Sequence, residues 1–204
     1  PVHISQMPDH LKAALIATED RQFYSHSGID LRGIVRAVVK DIMAGQFVEG
    51  ASTITQQLAK TLFLTPEKTI TRKIKEALLA IQLERRYTKD EILELYLNKI
   101  YFGSGAYGVA AAARIFFGKT LEELSLAECA LIAAMPRAPS RYSPLVNREL
   151  AQKRRNIILA QMAETTVISP QEYARSIAEP VAVAPPVQGQ RKAPYFVDFV
   201  RERL

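Results

Sequence analysis

Two glutamates stand in strings rich in cations and amides. Glu19 lies in Ala17-Thr18-Glu19-Asp20-Arg21-Gln22-Phe23-Tyr24-Ser25-His26-Ser27-Gly28-Ile29-Asp30, and Glu76 closes Thr71-Arg72-Lys73-Ile74-Lys75-Glu76. Between them runs Gly50-Ala51-Ser52-Thr53-Ile54-Thr55-Gln56-Gln57-Leu58-Ala59-Lys60. Glycosyl chemistry needs this mixture: one carboxylate to move a proton, and other groups to manage charge on the leaving group.

Spacing supports two readings of each string. Glu19, Phe23 and His26 fall at i, i+4, i+7 and share a face if one helix carries all three. Glu19-Asp20-Arg21 equally suits a solvated helix end. Thr53, Gln57 and Lys60 fall on one helical face and Ile54, Leu58 and Leu62 on another. A face of hydroxyl, amide and ammonium suits sugar hydroxyls and phosphate oxygens, and it also suits plain solvent. Arg72 and Lys73 precede Glu76 by four and three residues, the spacing of ordinary helix ion pairs. The same cations can grip a diphosphate, Arg as a planar fork and Lys as a point charge.

The elements that must position these groups read as helical nearly throughout. Asp9 is a candidate cap for a helix with Leu11, Ala14 and Leu15 on one face. Asp30 can cap the next, where Ile34, Val35, Val38, Val39, Ile42 and Met43 form an apolar stripe beside Arg32, Arg36 and Lys40. Gly45 and Gly50 bracket a break. Thr65-Pro66 reads as the start of a helix that carries Ile74, Ala77, Leu78 and Ile81. Thr88 to Glu91, Thr120 to Glu123, Ser125 to Glu128 and Ser169 to Glu172 have capping-box grammar. Tyr101 with Gly103, Gly105 and Gly108 reads as a turn bringing backbone close to a ligand or another helix. No strand pattern of convincing length appears, and internal repeats are absent. After Glu179, Pro180, Pro185, Pro186 and Gly189 read as an extended linker, and Pro194-Tyr195-Phe196-Val197 resumes order.

The chain has 204 residues, 48% of them hydrophobic, enough for one domain with a real core. Its formal charge of +6 points to an anionic partner: nucleic acid, a lipid headgroup or a phosphorylated substrate. Cys129 is the single cysteine, so an intrachain disulfide is excluded. His3, His10 and His26 lack metal-site spacing, so no metal ligand set is assigned. No apolar run reaches the roughly 18 residues of a membrane span.

The strings above resemble the signature motifs of the peptidoglycan glycosyltransferases of family 51, the domain found in class A penicillin-binding proteins. The resemblance continues through Asn98-Lys99-Ile100-Tyr101-Phe102-Gly103-Ser104-Gly105-Ala106-Tyr107-Gly108 and Ala127-Glu128-Cys129-Ala130-Leu131-Ile132-Ala133-Ala134-Met135-Pro136-Arg137-Ala138-Pro139. It implies a mainly α, lysozyme-like domain over residues 1–180, with a smaller membrane-facing part over about 31–75. Residues 181–204 would be a linker and the start of a following domain. It also implies a membrane anchor before residue 1 and a site at the extracytoplasmic face of the cytoplasmic membrane. The transpeptidase motif Ser-x-x-Lys of bifunctional members is absent, so that activity is not expected from these residues.

The implied reaction is polymerisation of lipid II into β-1,4-linked glycan strands with release of polyprenyl diphosphate. Glu19 is implied as the catalytic base and Glu76 as a second catalytic carboxylate that orients cations. Asp20, Phe23, Ser52, Thr53, Gln56, Gln57, Lys60, Arg72, Lys73, Tyr101 and Arg137 are the implied substrate-binding residues. A divalent cation, Mg or Mn, would accompany the substrate diphosphate. The partners implied are lipid II, the growing strand, a membrane surface, moenomycin-type inhibitors and other cell-wall synthesis proteins. Val38, Val39, Ile42, Met43 and Phe47, with Leu62, Phe63 and Leu64, are candidate membrane contacts flanked by Arg36 and Lys40; such a stripe also suits a core. Two rival readings remain: a lysozyme-type hydrolase or lytic transglycosylase using Glu19 as acid, and a basic nucleic-acid binder. The second lacks a dense basic patch and a recognised binding motif.

Overall fold

The computed structural model describes residues 1–44, 52–65 and 69–185, without the side chains of residues 37–42 and 44. Among the described residues, a short 3-10 turn, Ile4–Gln6, leads into ten helices: α1 Asp9–Glu19, α2 Leu31–Ala44, α3 Ile54–Phe63, α4 Ile70–Arg86, α5 Lys89–Lys99, α6 Val109–Phe117, α7 Leu126–Ala134, α8 Pro139–Tyr142, α9 Arg148–Glu164 and α10 Pro170–Ala178. The described strands are a minimal antiparallel pair, β1 Tyr101–Gly103 and β2 Ala106–Tyr107. The mainly α reading stands.

The core is organised by α7. Its sequence Leu126-Ala127-Glu128-Cys129-Ala130-Leu131-Ile132-Ala133-Ala134 is apolar nearly all round, and nearly all of it is buried. Helices α1 and α9 pack against it, and α3 packs on α4 and α5. Leu11, Ala14 and Leu15 form the buried face of α1, as their spacing predicts. Burial pushes the Cys129 thiol up to about 12, so it is an inert core group.

The local grammar is largely realised. Thr88, Ser125 and Ser169 each cap a helix in a reciprocal box, and Thr53 does the same for α3. Asp30 Oδ1 accepts the Gly33 N–H at 2.8 Å near the start of α2. Three expectations need correction. Thr120 and Glu123 make the backbone half of a box, 2.8 Å, but no helix follows, because Ser125 opens α7 two residues on. Asp9 is the first residue of α1 and pairs with Lys12 at 2.7 Å, while Pro8 holds the cap position. Helix α4 starts at Ile70, not after Thr65, because the Thr69 hydroxyl takes the Arg72 N–H. Pro66, Gly45, Gly50 and Phe47 lie outside the described residues, as do the side chains of Val38, Val39, Lys40 and Ile42.

Helix α4 also turns the other way from its apolar spacing. Glu76, Ala80 and Leu83 are buried, whereas Ile70, Ile74 and Leu78 stand 82%, 56% and 57% exposed. Leu62 and Phe63 are exposed at the C-terminal end of α3, and Leu31, Val35 and Met43 on α2. After α10 the chain is extended and packed: Val181 is buried and the Ala184 N–H donates to Phe116 O at 2.8 Å. The proposed linker beyond residue 185 lies outside the described residues.

Candidate active site

Helix α1 stops at Glu19. Asp20 breaks it with φ −161° and ψ 79°, so Phe23 and His26 belong to the following turns and not to the same helix face. Partners distant in sequence hold the break. The buried Asp20 carboxylate accepts the Ile54 N–H at 3.0 Å, the first amide of α3. It also accepts from His26 Nε2, 2.9 and 3.1 Å from its two oxygens. The Gly28 N–H donates to His26 Nδ1 at 3.1 Å, which fixes the ring proton on Nε2. Thr53 Oγ1 donates to Gly28 O at 2.7 Å. Gly28 has φ +95°, and a Cβ there would lie 2.9 Å from the backbone carbonyl of Ala80. The turn after Glu19 is therefore pinned between the start of α3 and the middle of α4.

That frame aims Glu19 at α3. Glu19 Oε2 accepts from Gln57 Nε2 at 2.9 Å, and Tyr96 O–H donates to Gln57 Oε1 at 3.0 Å, fixing the amide's orientation. Burial pushes the Glu19 carboxyl above its usual range. The Gln57 hydrogen bond and then the charges of Arg154, Arg137 and Lys60 pull it back. A carboxylate raised by burial yet kept ionisable by cations has the character of a general base.

Glu76 is the second centre. It is buried in α4, with Oε1 3.2 Å from Arg72 Nε and Oε2 accepting from Lys73 Nζ at 2.9 Å. Lys73 Nζ also donates to Ser52 Oγ at 2.7 Å, just ahead of α3. The Arg72 contact lacks hydrogen-bond geometry, so this is an ion pair that places a guanidinium rather than consuming its donors. Helix α3 links the two centres: Gln57 touches Glu19, and Ser52 at its approach touches Lys73. Both oxygens of Glu76 face cations, and no group of three His, Cys, Asp or Glu among the described residues could hold a metal ion. With both oxygens beside cations, Glu76 does not fit a protein-bound divalent ion.

The expected site residues divide. Glu19, Ser52, Gln57, Lys60, Arg72, Lys73 and Glu76 gather along α3 and α4 as described, with Lys60 exposed. Asp20, Phe23, Thr53 and Gln56 are buried. Phe23 has no exposed surface and lies under Lys89, 4.6 Å from its ring centroid. Thr53 and Gln56 spend their side chains on the box that starts α3. The contacts these four make are with the protein frame around Glu19. Tyr101 packs on Tyr107 with ring centroids 4.8 Å apart, and among the described residues no hydrogen bond joins it to either glutamate. Gly103 and Gly108 permit close backbone approaches, to Pro139 O and Asn98 O. Arg137 is exposed in the turn after α7, and its charge reaches Glu19.

Sequence reasoning missed Tyr96 and Arg154. Tyr96 could be read only as an apolar position of α5. Arg154 flanks the stripe Ala151, Arg155, Ile158 and Met162 that faces the core of α9, and this gave no hint of its approach to Glu19.

The profile of the family described as transglycosylase matches residues 1–163. The chain is 52% identical to penicillin-binding protein 1A of Aquifex aeolicus (strain VF5), over 98% of this chain and 27% of that protein. It is 47% identical to penicillin-binding protein 1A of Escherichia coli (strain K12), over 100% of this chain and 24% of that protein. The crystal structure of penicillin-binding protein 1A from Haemophilus influenzae superposes with a TM-score of 0.58 at 28% identity, covering 100% of this chain and 20% of that one. The chain thus spans about a quarter of the length of the curated relatives it matches. With the motifs in order, the helical fold in agreement and two glutamates set beside amide and cationic groups, the chain belongs to the transglycosylase family, the peptidoglycan glycosyltransferases of family 51.

Proposed function

We propose that this domain builds peptidoglycan by glycosyl transfer, polymerising lipid II into β-1,4-linked strands and releasing polyprenyl diphosphate. Glu19 removes the proton from the acceptor sugar's 4-hydroxyl. That oxygen attacks the anomeric carbon of the donor, the growing strand, from the face opposite the diphosphate, and the α-linked donor becomes a β linkage. Positive charge grows on the sugar ring as the bond to diphosphate lengthens. Lys60, Arg72 and Lys73 stabilise the negative charge on the leaving group. Glu76 acts by holding Arg72 and Lys73 in place.

The observation that carries this reading is the pairing of a buried, amide-held Glu19 with a separate cation pair fixed by Glu76. A hydrolase with Glu19 as acid expels an alcohol and has little use for that pair. The substrate is lipid-linked, so the exposed apolar residues of α2, α3 and α4 suit docking at the extracytoplasmic face of the cytoplasmic membrane. Moenomycin-type phosphoglycolipids would compete in the donor site, and other cell-wall synthesis proteins would work alongside. Among the described residues no helix is long and apolar enough to cross a membrane.

The test is incubation with lipid II. Glu19→Gln keeps the shape and removes the titratable group, so polymerisation should fall by about 10²–10⁴-fold. Near-normal turnover in that variant, or cleavage of finished glycan without use of lipid II, would overturn the reading.

A further inference from the structure

We propose that Glu84 is a positioning residue: a carboxylate of α4 that acts through Thr55 and Lys89 to aim Gln57 at the Glu19 carboxyl. The proposal rests on Glu19 being the base. Glu84 Oε1 accepts twice, from Thr55 Oγ1 at 2.6 Å and from Lys89 Nζ at 2.7 Å. Thr55 stands on α3 and Lys89 is the first residue of α5, so one oxygen joins three helices. The side chains of Glu84 and Lys89 are 7% and 19% exposed, and Thr55 has no exposed surface.

The tie reaches Glu19 by two routes. Thr55 and Gln57 are two residues apart on α3, about 200° round the helix, so α3 is anchored to α4 from the side opposite the one that Gln57 presents to Glu19. The Lys89 ammonium also stands 4.6 Å from the Phe23 ring centroid, and the neighbouring Asp90 accepts from Tyr24 O–H at 3.0 Å. Phe23 and Tyr24 belong to the turn that follows Glu19. Seven residues beyond Lys89, on the same face of α5, Tyr96 holds the Gln57 amide. The bonds from Ile54 N–H to Asp20 and from Thr53 to Gly28 O set where α3 begins, and the Glu84 tie holds the helix against α4 from there. A buried ion pair adds little net stability over apolar packing of the same volume, but its hydrogen bonds fix direction where apolar contacts slide. The direction fixed here is that of α3, and with it that of Gln57.

The test measures kcat and KM for lipid II, well below the melt, in three variants. Glu84→Leu removes the tie, Glu84→Gln keeps an oxygen that accepts from Thr55, and Thr55→Val removes only the hydroxyl. Glu84→Leu and Thr55→Val should each lower kcat about fivefold or more with KM within about twofold of the parent, and Glu84→Gln should stay within about threefold in both. Because the effect runs through Gln57, each loss should shrink to less than about twofold in a Gln57→Ala background. Equal losses in both backgrounds, or a fall in Tm with kcat unchanged, overturn the proposal in favour of packing alone. Thr55→Val leaves the Glu84–Lys89 pair in place and decides the matter where Glu84→Leu does not fold. Nitrogen-15 NMR of the Gln57 side-chain amide, assigned with Gln57→Ala, reads the same effect without substrate: its protons should exchange with water at least about fivefold faster in Thr55→Val. An unchanged exchange rate overturns the proposal whatever the activity. Faster exchange in a domain that does not polymerise lipid II keeps Glu84 as the residue that aims Gln57 and overturns the proposed reaction instead.

Discussion

Asp20→Ala separates a framing residue from a substrate contact. The native carboxylate is buried and accepts from two groups, the Ile54 N–H at 3.0 Å and His26 Nε2 at 2.9 Å. Hydrogen bonds to a charged acceptor contribute about 1.5–3 kcal/mol each, and a donor orphaned in a buried site costs about 1–3 kcal/mol. The two counts overlap, so the loss should be about 3–5 kcal/mol, and Asp20→Asn should cost less because one oxygen still accepts the Ile54 N–H. For a domain of this size each kcal/mol moves Tm by about 2–4 °C, so Asp20→Ala should lower Tm by roughly 10 °C. Thermal melts followed by circular dichroism, beside lipid II turnover well below the melt, give the comparison. Activity should fall as well, because freeing the start of α3 frees Gln57 and with it Glu19. A variant that loses turnover yet melts within about 2 °C of the parent would refute the framing role and return Asp20 to the substrate.

Arg72→Ala and Lys73→Ala should each weaken donor use at least about tenfold with little change in Tm, because each leaves Glu76 one cationic partner; parallel loss of stability and turnover would instead mark a purely structural ion pair. Gly28→Ala should destabilise by at least about 2 kcal/mol, since Gly28 has φ +95° and a Cβ would press on the Ala80 backbone at 2.9 Å; a denaturant midpoint unchanged from the parent would contradict that packing. The double replacement Ile74→Ser and Leu78→Ser should reduce binding to anionic liposomes while leaving Tm nearly unchanged, because both side chains are more than half exposed; an unfolded double variant would assign them to a core.

Local signals in the chain were legible wherever their partners are local. The boxes at Thr88, Ser125 and Ser169 close within one turn, and a reader of the sequence finds them; the box at Thr53 has the same spacing, but Thr53 and Gln56 read as substrate contacts instead. Glu76 with Arg72 and Lys73 is legible for the same reason. The end of α1 was not, because what holds Asp20 outside the helix is the Ile54 amide, 34 residues away. Nor was the Tyr96 to Gln57 bond, which spans 39 residues. Periodicity marked the apolar row Ile74 and Leu78 but could not say which way it faces. A buried stripe and a membrane-facing stripe have the same spacing, and here α4 turns its charged residue Glu76 inward.

The motif strings show why chemistry and framing could not be told apart by residue type. Within Thr53-Ile54-Thr55-Gln56-Gln57, adjacent amides have opposite fates. Gln56 folds back to accept the Thr53 N–H at 3.0 Å and is buried, while Gln57, about 100° further round the helix, meets Glu19. The first sets where α3 begins, and that start determines which way the second points. Slipping the start of α3 by one residue would swing Gln57 away from Glu19 by that same angle, roughly 100°. The Glu19 carboxyl would then lose the hydrogen bond that most opposes its burial. The buried residues of the motif thus fix the Glu19 carboxyl as firmly as the one that touches it.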